Sequence, residues 1–181
     1  RGTTFTTTVD SVSYNYIVKD ATTISPVDGV YTFSNLEVYE GTLISNKYTV
    51  DTTDADQRFL IKNNLADTTT LLVTVQNSSG DTTTSTYTLA TDLADITSSS
   101  KVYYLEGAED QQYEVKFGDG VLGAALSTGN IVTLSYIVTN AEESNGASSF
   151  SLSGNIGGFS NVTITTATNS ANGAQPETPD S

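Results

Sequence analysis

The feature that most constrains this chain is an apolar alternation with a period of two. Val12, Tyr14, Tyr16 and Val18 fall on one side of an extended segment, with Ser11, Ser13 and Asn15 on the other. Such a pattern requires a strand with one buried face. Further apolar bursts follow, each short and bounded by Gly, Asn or Asp. Residues 31–38, with Tyr31, Phe33, Leu36 and Val38, read as a strand with a phase slip near Asn35. Residues 58–62, 71–76, 84–89, 101–106, 113–117 and 131–139 read as further strands, and Asn77-Ser78-Ser79-Gly80-Asp81 reads as a hairpin loop. Only residues 91–97 suggest a helical turn, too short to be stable alone. Thr and Ser in excess, with 10 Tyr and 6 Phe among 181 residues, fit the same all-β reading: antiparallel, sandwich-like modules with very little helix. That length can hold one sizeable core or two small ones.

What the chain lacks narrows its chemistry. It contains no Cys and no His, so Ser-His-Asp and Cys-His relays, imidazole proton transfer and zinc sites built on those residues are excluded. A net charge of -14 makes the surface repel phosphate backbones, and nucleic acid is not an expected partner. No run approaches the roughly 18 apolar residues of a membrane helix, so no membrane association is expected. The lack of a signal-peptide layout or initiator Met, and a polar ending, read as cuts through a longer chain.

Several motifs have both a chemical and a plain structural reading. In Phe117-Gly118-Asp119-Gly120-Val121-Leu122-Gly123 the glycines suggest a phosphate cradle, but no helix pattern follows. Gly118, Asp119 and Gly120 are therefore read as a structural turn forming a tight hairpin. Asp51, Asp54 and Asp56 suggest calcium, yet there is no turn Gly, and Lys62 stands where a calcium loop would end in Glu. They read as a solvated acidic turn. Glu106, Glu109, Asp110, Glu114 and Asp119 supply carboxylates for a glycosidase-like pair, as any acidic chain does. Asn77-Ser78-Ser79 and Asn161-Val162-Thr163 match glycosylation acceptors, an expected coincidence in a chain this rich in Ser and Thr. The expectation is a non-enzyme without cofactor or metal. The rival reading is a carbohydrate-binding or adhesive β-sandwich module of a tail fibre or bacterial surface protein, suggested by Tyr, Thr and the acidic cluster 106–114.

A resemblance runs through motifs in a shared order: Arg1-Gly2-Thr3-Thr4-Phe5, Phe33-Ser-Asn-Leu-Glu-Val-Tyr-Glu-Gly41, Gln57-Arg58-Phe59-Leu60-Ile61, Phe117 to Gly123, Gly129-Asn130-Ile131-Val132, Asn145-Gly146, and the terminal Pro-Glu-Thr-Pro. In these the chain resembles baseplate wedge proteins of T-even-like contractile-tailed bacteriophages, in the baseplate J-like family. The resemblance implies a structural virion component located in the tail baseplate and assembled in the host cytoplasm. Its implied partners are other wedge proteins, with a homodimer in the full-length chain linking wedges into a ring around the hub. The resemblance also implies a nested layout: residues 1–49 and 142–168 as an outer β domain, 50–141 as an inserted β domain, and 169–181 as a linker toward a missing C-terminal region.

Overall fold

A computed structural model describes residues 1–175. The chain is nearly all β, as the alternation requires. Its strands are β1 (Thr4–Val9), β2 (Val12–Ile17), β3 (Tyr39–Glu40), β4 (Thr42–Thr49), β5 (Phe59–Ile61), β6 (Ala66–Gln76), β7 (Thr84–Leu89), β8 (Val102–Gly107), β9 (Tyr113–Phe117), β10 (Ile131–Val138) and β11 (Ser151–Ser153). They form a four-stranded sheet in the order β11-β1-β2-β3 and a seven-stranded sheet in the order β4-β10-β6-β7-β8-β9-β5. Among the described residues, compactness divides the chain into two units, one of Arg1–Leu43 with residues 137–175, the other of Ile44–Tyr136. Both divisions fall inside strands, β4 and β10, where no turn residue marks them. The nested layout implied by the resemblance places them instead at 49/50 and 141/142.

In the first unit, Asp10 and Ser11 both take positive φ and close β1 onto β2 as a two-residue hairpin. Tyr14, Tyr16 and Val18 are buried as their spacing predicts, while Val12 at the strand start is half exposed. Phe5 lies opposite Tyr16 in register, and Phe150 meets the Tyr16 ring edge-on at 5.0 Å. The run 31–38 is not a strand, and only Tyr39–Glu40 pairs. Asn35 within it is left-handed, which breaks an extended run, and just before it Val27 and Val30 bond each other across Asp28-Gly29. Leu36 and Val38 still pack on the core. Past Asn145-Gly146, among the described residues, only Ser151–Ser153 forms a strand, and Ile156 and Phe159 close a two-residue turn over Gly157-Gly158.

The segment from residue 169, linker by composition, is bonded down. Ser170 exchanges backbone hydrogen bonds with Gly146 and Ala147 at 2.9 Å each, and the Gln175 side chain donates to Glu142. The remainder of that segment, residues 176–181 with Pro-Glu-Thr-Pro, lies outside the described residues.

In the second unit the seven-stranded sheet curls until it is nearly closed. The two strands at its edges meet through side chains, because the Tyr48 hydroxyl on β4 donates to the Leu60 carbonyl on β5 at 2.7 Å. From there a row of edge-on rings crosses the sheet: Tyr48 to Phe59 at 5.6 Å, Phe59 to Phe117 at 5.3 Å and Phe117 to Tyr87 at 5.4 Å. Ile61, Val73, Val115, Val132, Leu134 and Tyr136 fill the interior. Each such side chain is worth about 1.5–3 kcal/mol when removed from water.

Two expectations are corrected here. β7 and β8 run parallel, with Thr88 opposite Val102, so the sheet is not wholly antiparallel. A parallel pair needs a crossover, and residues 90–101 supply it as irregular chain, with one isolated turn where the Ile96 amide bonds the Leu93 carbonyl at 3.4 Å. Among the described residues the single helical element is a 3-10 turn at Glu109–Gln111. The hairpin expected across Gly118-Asp119-Gly120 is also absent: β9 pairs with β5 and β8, whereas β10 lies between β4 and β6. Residues 118–130 are a loop between strands that are not neighbours.

Candidate functional site

Gly118, Asp119 and Gly120 do turn the chain, back onto Gly123. A side chain at Gly118 would put its Cβ 2.3 Å from the Gly123 carbonyl carbon, and Gly120 and Gly123 both have φ near +90°. Only glycine meets these conditions. Asp119 Oδ1 accepts from the amides of Val121 (2.9 Å) and Leu122 (3.0 Å), and these bonds hold its carboxyl below the ordinary carboxylate range. The Gly120 amide bonds Gly123, the Gly123 amide bonds Thr97, and the Ala124 amide bonds Ser100. The loop's amides thus already have acceptors within the protein. A phosphate cradle needs them free and converging, so this geometry does not supply one.

The same loop turns apolar side chains to solvent. Val121 is 70% exposed, Leu93 on the crossover 60%, and Leu122 47%. Leu93 and Leu122 line an open recess with Tyr104 and Phe117, and the Tyr104 hydroxyl donates to the Leu122 carbonyl. Sequence reading missed this patch because each residue was read as a turn or strand-end residue, and only the crossover brings Leu93 beside the glycine loop.

The acidic candidates are dispersed or satisfied. Asp51 Oδ1 accepts from the Thr53 amide and hydroxyl, which lower its pKa, and Asp54 Oδ1 accepts from the Asp56 amide. These are local turn bonds, with each carboxylate serving its own backbone. Glu106 and Glu114 stand directly opposite on β8 and β9. Each holds its own cation, Lys116 on Glu106 and Arg58 on Glu114 at 2.8 Å. That forms a four-charge row on an open sheet face, where a glycosidase would need a cleft. Glu109 and Asp110 lie in the 3-10 turn, exposed. Among the described residues no group of three or more potential metal ligands converges, and no helix is long and apolar enough to cross a membrane. Asn77 spends its amide on Asp81 at 2.7 Å, while Asn161 lies exposed in irregular chain.

In the first unit a recess of about 260 Å³ opens among Ile24, Phe33, Leu36 and Tyr39, with Lys19 Nζ 4.8 Å over the Tyr39 ring. It falls below the roughly 300–1,000 Å³ of ligand pockets. No protein-family model matches the chain, and no curated protein does.

Proposed function

We propose that this chain is a structural module of a contractile phage tail baseplate wedge, acting through protein–protein contacts without chemistry. The observation that carries the reading is where the resembling motifs fall. Gly41 closes the second motif with φ +128°, and a Cβ there would sit 2.2 Å from the Val138 carbonyl oxygen. Tyr39–Glu40 of the same motif is the whole of β3, and Phe59–Ile61 of the third is the whole of β5. Gly118 and Gly123 of the fourth touch each other, and Asn145-Gly146 receives the returning chain. That several of the quoted motifs fall on positions where the backbone tolerates little else supports the reading.

The surface chemistry supports the same reading. Leu93, Val121 and Leu122 offer apolar contact, of the kind that marks partner surfaces. The net charge of -14 disfavours self-aggregation and favours basic partner surfaces. Partners on this reading are other wedge proteins, with a homodimer in the full-length protein, in the virion baseplate.

The test is electron microscopy of assembled tails carrying a tag in the loop 77–81, whose tip at Ser79 and Gly80 is exposed. Label confined to the baseplate is the expected outcome. Label along the tube or on fibres, with none at the baseplate, sinks the proposal.

A further inference from the structure

The chain contains two Asn-Gly pairs, Asn145-Gly146 and Asn172-Gly173, and the fold sets them against each other. Asn145 Nδ2 donates to the Gly173 carbonyl and Asn145 Oδ1 accepts from the Gly173 amide, both at 3.0 Å. The Gly146 amide donates to the Ser170 carbonyl at 2.9 Å. Gly173 fits only because it has no side chain, since a Cβ would lie 2.3 Å from the Ala141 carbonyl oxygen. Beneath this contact Ser144, almost fully buried, takes bonds at its carbonyl from the Ser170 hydroxyl (2.7 Å) and the Tyr16 hydroxyl (3.0 Å).

Asn-Gly is the dipeptide most prone to deamidate, because glycine leaves the following nitrogen unhindered. In that reaction the glycine nitrogen bonds to the Asn Cγ, the Cγ–Nδ2 bond breaks, and ammonia departs with the displaced proton. Water then opens the five-membered imide at either carbonyl, giving aspartate or isoaspartate without any redox change. Both attacking nitrogens here, on Gly146 and Gly173, are held in hydrogen bonds by the opposite segment. The Asn145 carboxamide is pinned at both its atoms, so its Cγ cannot swing onto Gly146.

We propose that residues 170–173 form a strap that shields both Asn-Gly pairs, making Asn145 and Asn172 modification sites that react only when the strap lifts. Isoaspartate at 145 would route the backbone through an extra methylene beside Ser144, displacing the oxygen that accepts from the Gly173 amide, and would remove the Nδ2 donor to the Gly173 carbonyl. Once modified, the strap does not reseat. The inference rests on this contact alone and stands or falls independently of the baseplate reading.

The test is peptide mass spectrometry of the chain incubated in mildly alkaline buffer, folded and in denaturant, scoring amide-to-acid conversion at each Asn. Both sites should convert slowly when folded and fast when denatured. Gly173→Ala, which expels the strap, should raise conversion of Asn145 about tenfold, equivalent to about 1.4 kcal/mol of opening. Hydrogen exchange of the Gly146 amide in the unsubstituted chain under graded urea gives a measurement that needs no variant: conversion of Asn145 should rise in proportion to opening. Equal conversion folded and denatured, or conversion indifferent to the opening of Gly146, overturns the proposal.

Discussion

At the scale of single residues, position in the sheet decides consequence. Val115 is wholly buried, Tyr136 is buried with its hydroxyl bonded to Asn46, and Thr74 is partly exposed. Val115→Asp or Tyr136→Asp should lose several kcal/mol in urea unfolding, because an unpaired carboxylate enters an apolar interior, while Thr74→Ser should stay within about 0.5 kcal/mol. Equal midpoints would refute the face assignment. Gly41→Ala meets both a Gly-only φ and the Val138 carbonyl, and should cost about 2 kcal/mol or more by the same measurement. By contrast the Arg58–Glu114 pair lies at the surface, with Arg58 exposed and Glu114 half-buried, and water screens it in part. Glu114→Gln should melt with the parent, and a clear drop in Tm would show that the pair does more than decorate the surface.

At the scale of elements, the strands that alternation revealed are the ones carrying large apolar residues. β7 runs over the expected residues 84–89, and β5, β8, β9 and β10 lie close to theirs. β1 and β4 escaped notice because their sequences, TFTTTV and TLISNKYT, spend half or more of their positions on Thr, Ser and Asn. β-branched Thr favours strands, but it gives no hydrophobic period to read. The converse error, a strand at 31–38, came from apolar residues that reach the core from irregular chain. Elements so short need side chains to hold them. β5 has three residues, and Phe59 touches both Tyr48 and Phe117, so Phe59→Ala should cost about 2 kcal/mol or more. Calorimetry showing no loss would mean the edge-to-edge ring contact contributes nothing.

At the scale of the whole molecule, tyrosine burial links stability to alkaline pH. Burial is the first cause raising Tyr48, Tyr87, Tyr103 and Tyr136 above the ordinary phenol value of 10.0. Unfolded tyrosines ionise near that value and folded ones resist, so the stability they contribute is intact below about pH 10 and falls as pH rises through their folded values. Thermal melts across this range should show the decline, and Tyr103→Phe should make it shallower. A flat profile would contradict it. The sequence by itself determined the all-β class, the inward side of the apolar-rich strands and the missing relay chemistry, because period and inventory are local properties of a chain. Tertiary structure alone decided that Gly118 turns onto Gly123, that β7 and β8 run parallel, that Leu93 joins Leu122, and that the polar segment after residue 169 is bonded to Asn145 and Gly146. Apart from Gly118 and Gly123, those are pairings between residues distant in the chain. Such partners are selected by sheet closure and steric fit, which no local pattern encodes.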